Sequence, residues 1–247
     1  MTNPRDKTNA LATLRRRFFT LRFSTDHAAV FSFVGDLLDL HSAAALEYHY
    51  NLLLDSDTSD VVYDTLCRSF SMRGAAGEDY LHARFMSVDE PSLKATLLHV
   101  LGSFRTGNAR RRKETAAHAR AALASPHEEL RCRGLWVIGW LGTSADIPRV
   151  GYLLTGDSAA INRQWAATTL MHIVYNHPSG APAALNLLSE ALAKETNKQA
   201  LSGIVVAAQE ITGKKLGLSA TSHKTPSNDK LNAAMKRTRR MFGGAAQ

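Results

Sequence analysis

Between Pro126 and Gly142 the chain reads P-H-E-E-L-R-C-R-G-L-W-V-I-G-W-L-G, and this run restricts the possible folds more than any other stretch. Leu130, Gly134, Val137 and Leu141 recur at spacings of four, three and four, which places them along one stripe of a helix, with Trp136 and Trp140 on a neighbouring stripe. Leu135–Leu141 is apolar almost all round, so the helix is expected to lie between other helices and to give no side to water. Pro126, Glu128 and Glu129 suit its start, where a proline costs no hydrogen bond and acids meet the positive end of the dipole. Gly142 suits its end.

The same pattern returns in weaker form on either side. Upstream, Leu93-Lys94 and Val100-Leu101-Gly102 fall on Leu130-Arg131 and Val137-Ile138-Gly139. Downstream, Arg163 falls on Arg131, Ala166 on Gly134, Leu170 on Ile138 and Ile173 on Leu141, and a fainter copy places Lys198 and Val205 on Arg131 and Ile138. In each copy a basic residue is followed seven positions later by an aliphatic one. Starts about 30 to 40 residues apart match the period of two-helix repeat units. Second helices are expected at Ala109–Ala124, Ile147–Leu154 and Ala181–Ala193. A helix pair of that size cannot bury its own apolar face, so pairs must stack on one another.

Three segments carry a resemblance: E-E-L-R-C-R-G-L-W-V-I-G-W-L-G, E-P-S-L-K-A-T-L-L-H-V-L-G and I-N-R-Q-W-A-A-T-T-L-M-H-I. Together, over roughly residues 89–211, they resemble the HEAT-repeat superfamily, in particular its short HEAT-like, phycobilisome-lyase-type repeats. The resemblance implies an all-α, right-handed α-solenoid of about five antiparallel helix pairs with basic N- and C-terminal helices. It also implies that Lys94, Arg131 and Arg163 each pair with an acid of the neighbouring repeat. It supports a fold better than a function. Small proteins of this kind act as adaptors, and some act as immunity proteins that cover the active site of a cognate toxin.

Charge divides the chain. Residues 1–23 carry net +5, residues 214–247 net +7 and the span between them net −4. A duplex-binding protein would want its positive charge along the groove, so nucleic acid is the disfavoured partner and a folded protein the favoured one. The expected organisation is a basic capping segment at 1–23, a repeat domain at 24–213, a flexible linker at 214–230, and a basic amphipathic helix with its tail at 231–247. No stretch has the ~20 apolar residues of a membrane span. Arg15-Arg16-Arg17-Phe18-Phe19 resembles an export signal, but Arg22, Asp26, Asp36 and Asp39 lie where its apolar core would be, so cytoplasmic residence is expected.

Along the remainder, residues 1–9 are expected to fray, and Leu11, Leu14, Phe18 and Leu21 mark the inner face of a capping helix. Asp26 suits an N-cap for a helix from His27, and a second helix follows at Ser42–Leu54. Val62, Leu66 and Phe70 share a face, Gly74–Gly77 is read as a break, and Tyr80–Val88 as the next helix. Thr106–Asn108 reads as a turn and Gly243–Gln247 as a free end.

The histidines make no metal-binding spacing, and there is no nucleophile elbow and no glycine-rich phosphate loop. Cys67 and Cys132 sit in apolar helical runs and read as reduced thiols. No catalytic, metal-ligating or cofactor-binding residue is therefore expected, and a HEAT-like DNA glycosylase is the enzymatic alternative. The candidate partner-binding residues are Arg110, Arg111, Arg112 and Lys113, four cations at a helix start where the dipole disfavours them; Trp165, in the polar opening I-N-R-Q-W; and Lys236, Arg237, Arg239 and Arg240 of the C-terminal helix. Trp136 and Trp140 read as core.

Overall fold

The computed structural model describes residues 4–55, 57–104, 108–219 and 226–243. Thirteen α-helices and no strand occur among them, as the sequence pattern requires. In chain order they are α1 (Pro4–Leu21), α2 (His27–Leu38), α3 (Ala43–Leu53), α4 (Asp60–Phe70), α5 (Gly74–Ser87), α6 (Pro91–Gly102), α7 (Ala109–Ala122), α8 (Glu128–Leu141), α9 (Ile147–Gly156), α10 (Ala160–Asn176), α11 (Ala181–Lys194), α12 (Lys198–Thr212) and α13 (Asn228–Gly243). The chain forms two compact units, residues 1–111 and 112–247. The boundary falls inside the Arg110–Lys113 cluster. The turn expected at 106–108 and the free end expected after Gly243 lie largely outside the described residues.

In the first unit α1 packs on α2, α2 on α4, and α4 on α6. The capping stripe behaves as expected: Leu14 and Phe18 are buried, and the Phe18 ring lies 5.7 Å from that of Phe33. The helix already begins at Pro4, inside the segment expected to fray. Asp26 caps α2 by accepting from the Ala28 and Ala29 N–H groups at 2.9 and 3.3 Å, and Ser42 caps α3 by accepting from Ala45 at 3.2 Å. The break read at Gly74–Gly77 is shorter than expected. A 3-10 turn at Ser71–Arg73 and the single residue Gly74, at φ +61°, redirect the chain, and α5 then runs from Gly74 itself.

Arg73 ties the turn after α4 to α2 and α3. Its guanidinium donates to the carbonyls of Leu37 and Leu40 at 2.9 and 2.8 Å, which satisfies the C-terminal end of α2. Its Nε reaches Nδ1 of the fully buried His49 on α3.

In the second unit α8 packs on α10 and α10 on α12, while α9 packs on α11. Side chains of α10 and its C-terminal end hydrogen-bond to the backbone of α8 in a repeated register. Asn162 Nδ2 donates to the Glu128 carbonyl at 3.1 Å, Thr169 Oγ1 to Leu135 at 2.9 Å, and His177 Nε2 lies 3.2 Å from the Gly142 carbonyl; the offsets are 34, 34 and 35 residues. Donors and acceptors ascend together, so α8 and α10 run in the same direction. Where α10 meets α12, Gly203 admits the Gln164 backbone; a Cβ there would lie 3.1 Å from the Gln164 carbonyl oxygen.

Two arginines of the second unit, on α8 and α10, make the same kind of joint. Arg131 forms a two-pronged pair with Asp157, at 2.6 and 2.8 Å, and gives its remaining nitrogen to the carbonyls of Ser125 and Pro126. Arg163 forms a two-pronged pair with Glu195, at 2.6 and 3.1 Å, and gives its remaining nitrogen to Asp157 and Ser158. Of the three basic residues expected to pair with an acid, Arg131 and Arg163 do so and Lys94 makes no such pair among the described residues. A further pair, Arg120 on Asp146 at 2.7 and 2.9 Å, joins α7 to the turn before α9.

The start of the expected linker is fastened. Leu216 and Leu218 are buried, and the Gln209 side chain accepts from the N–H groups of Leu216 and Gly217 and donates to the Leu218 carbonyl. After this segment α13 packs on α11 and α12 of its own chain, burying Leu231, Ala234 and Thr238.

Candidate functional site

The inner stripe of α8 consists of Leu130, Gly134, Leu135, Val137 and Ile138, all buried. The outer stripe, Glu129, Arg133, Trp136 and Trp140, follows helical spacing and stays partly in solvent. The helix expected to be buried on every side therefore keeps one edge in water, and Trp136 and Trp140 are half-buried. Where α8 meets α10, Gly139 leaves room for the His172 side chain: a Cβ there would lie 3.1 Å from His172 Nδ1.

On α10 the matching outer row is Gln164, Trp165, Thr168, Met171 and Tyr175, half-exposed except for Tyr175, which is 86% exposed. The Trp136 and Trp165 rings sit 4.7 Å apart, tilted by 58°. The Arg133 guanidinium lies 4.3 Å over the Trp136 ring, an attractive placement for a cation on an aromatic face. Arg133 Nε and Gln164 Oε1 are buried and have no hydrogen-bond partner among the described residues.

Beneath this row the ionised pairs are fixed. Burial raises the Asp157 carboxyl pKa, but the hydrogen bonds from Arg131, the Ala159 N–H and Asn162 outweigh it and hold the group below its ordinary value. Arg131 is raised in turn, first by its bond to Asp157. Glu195 is lowered in the same way: burial opposes ionisation, while Arg163 and the N–H groups of Asn197 and Thr196 favour it more. Burial pushes the Cys132 thiol up to about 11, so at neutral pH it is protonated and unreactive. Among the described residues no three His, Cys, Asp or Glu side chains gather as metal donors.

Of the sequence candidates, Trp165 joins this row. Arg111 is committed to Asp79, its Nε donating at 2.8 Å, while Arg110 and Lys113 are exposed and Arg112 half-exposed. Lys236, Arg237, Arg239 and Arg240 lie on the outer side of α13, and Arg237 donates to the Leu216 carbonyl at 3.1 Å. The partners missed in the sequence are Trp136, Arg133 and Gln164. The spacing of Glu129, Arg133, Trp136 and Trp140 was the available signal, since a stripe carrying two charged residues cannot all be interior.

The first unit has a separate concavity of about 470 Å³ between α2 and α4. Phe31, Val34, Val61 and Met72 line it, and Asp64 and Arg68 stand at its edge. Phe31 and Met72 are 61% and 74% exposed.

No known protein family matches the chain, and no characterised protein is similar to it in sequence. No helix among the described residues is long and apolar enough to cross a membrane.

Proposed function

We propose that the chain is a non-catalytic helical-repeat module that binds a folded protein through the outer row of α8 and α10. The observation that carries this reading is the half-exposed Trp136–Trp165 pair under Arg133. Tryptophan and arginine are the residue types concentrated at the energetic centres of protein interfaces. Here ring contact and cation stacking already restrict their rotamers, which lowers the ordering cost of association. The recurrence of the Arg131–Asp157 and Arg163–Glu195 joints, with the 34- to 35-residue register between α8 and α10, supports stacked helix pairs of the HEAT-like kind.

Adaptors and immunity proteins that cover a toxin are the two forms such a module takes, and the identity of the bound protein decides between them. A nucleic-acid binder is the rival, because bases also stack on indole and guanidinium groups. The test is capture on immobilised full-length protein at low and high salt, with Trp165→Ala and Arg133→Ala in parallel. The reading requires a defined protein that is retained at high salt and lost from both variants. Retention of nucleic acid alone, collapsing as salt rises, would replace it with the rival.

A further inference from the structure

Helix α1 has two faces, and the chain uses one of them. Leu14 and Phe18 are 5% and 7% exposed and close over α2, with Leu11 and Leu21 half-buried beside them. The opposite face carries Arg15, Arg16 and Phe19, and the turn that follows the helix adds Phe23. Phe19 is 70% exposed and Phe23 58%. A helix that only seals the end of a stack needs a polar outer face, and two bare phenylalanines are not explained by that role.

We propose that this ridge docks the protein reversibly on an anionic lipid surface, with Phe19 and Phe23 entering the headgroup region and Arg15 and Arg16 meeting lipid phosphate. Residues 10–23 contain four arginines and no acid. Two of the four are held in ion pairs: Arg17 pairs with Asp36 and bonds to Ser32, and Arg22 pairs with Asp57 at 3.3 Å. Arg22 also lies 4.9 Å from the Phe19 ring and 4.6 Å from Phe23, which holds the two rings as a pair around one cation. Arg16, which donates to Thr13 one turn back, and Arg15, over the Tyr48 ring, remain exposed.

Exposed aromatic residues flanked by cations on one side of a helix are the pattern of interfacial membrane helices, and a flat anionic surface satisfies it without a groove. A partner helix would need a groove, and the concavity described above lies between α2 and α4. Pairing with a second copy is disfavoured, because a two-fold contact through this ridge brings two sets of arginines into one interface to which residues 10–23 contribute no acid. The proposal is independent of the α8–α10 row.

Co-sedimentation of the full chain with phosphatidylcholine vesicles, with and without phosphatidylglycerol, tests it. The protein should pellet with the anionic vesicles only, and less as salt rises. Phe19→Ser/Phe23→Ser and, separately, Arg16→Glu should each lower the vesicle-bound to free ratio about tenfold. Trp165→Ala should pellet like the wild type, which separates this surface from the protein-binding one. Both ridge variants alter exposed side chains, and a thermal melt checks that each is folded; Arg16→Glu carries the test if the serine pair is not. Wild type left in the supernatant, equal binding to neutral vesicles, or unchanged binding by the folded variants would each overturn the proposal. Capture of an acidic protein or of nucleic acid through Phe19 without vesicle binding would do the same.

Discussion

Arg73 Nε donates to Nδ1 of His49 at 3.3 Å, and the other ring nitrogen of His49 lies 3.2 Å from the Leu66 carbonyl. A guanidinium has no acceptor, so Nδ1 must accept and Nε2 must carry the hydrogen that Leu66 receives. The two neighbours thus select one neutral tautomer. Burial first, and the Arg73 charge second, push the His49 pKa down to about 3.

Acid sensitivity follows from that tautomer. The unfolded chain takes up the proton near the ordinary histidine value of 6.5, and the folded chain does not until about 3. The contribution of His49 is therefore complete above pH 6.5 and shrinks as pH falls, by about 1.4 kcal/mol per pH unit within that window. Urea unfolding at several pH values between 4 and 7 should show this slope. His49→Gln, which can still donate to Leu66 and accept from Arg73, should flatten it by one proton. An unchanged slope would place the titrating group elsewhere.

The Arg131–Asp157 joint should be expensive to break from one side. The two side chains are 11% and 0% exposed, so Arg131→Met leaves a carboxylate in a dry place with fewer bonds. A loss of about 3 kcal/mol is expected, at the low end for a buried pair because the Ala159 N–H and Asn162 still serve Asp157. The Arg68–Asp64 pair, with side chains 83% and 57% exposed, is the control: Arg68→Ala should change stability by less than about 0.5 kcal/mol. Equal effects in chemical denaturation would remove the distinction between the two pairs.

Two glycines should respond to alanine with opposite signs. At Gly35, inside α2, an added Cβ meets nothing within 4 Å, so Gly35→Ala should stabilise by up to about 1 kcal/mol through helix propensity. At Gly203 the same Cβ would lie 2.7 Å from Gln164 Cγ and 3.1 and 3.2 Å from its backbone oxygen and Cα. Separating α12 from α10 should cost about 1–3 kcal/mol, more than propensity returns. Thermal melts of the two variants decide it.

What could be read from the sequence follows a physical division. Helix existence and the inner stripes were legible, because Leu130, Gly134 and Val137 on α8 and Val62, Leu66 and Phe70 on α4 keep helical period. Arg131 and Arg163 were also legible, because the pattern repeats around them. Their acids were not: Asp157 and Glu195 stand 26 and 32 residues on, a separation set by how long each intervening helix happens to be. The Arg120–Asp146 pair escaped for the same reason. The exposure of Trp136 was hidden because hydropathy cannot tell an indole that faces a neighbouring helix from one that faces a second indole at the surface. The second indole, Trp165, comes within reach of Trp136 only once α8 and α10 are stacked. Leu216 and Leu218 were read as linker because their anchor is one glutamine side chain, Gln209, with no periodicity to announce it.

The bonds from Asn162 and Thr169 end on carbonyl oxygens of α8, at Glu128 and Leu135, and a carbonyl is the same whatever side chain its residue carries. These two bonds thus read the neighbour's main chain and are blind to its alphabet. Substitutions along the solvent edge of α8 can accumulate without disturbing the seat of α10. The outward-facing residues of α8 can therefore drift while the frame beneath them stays constant.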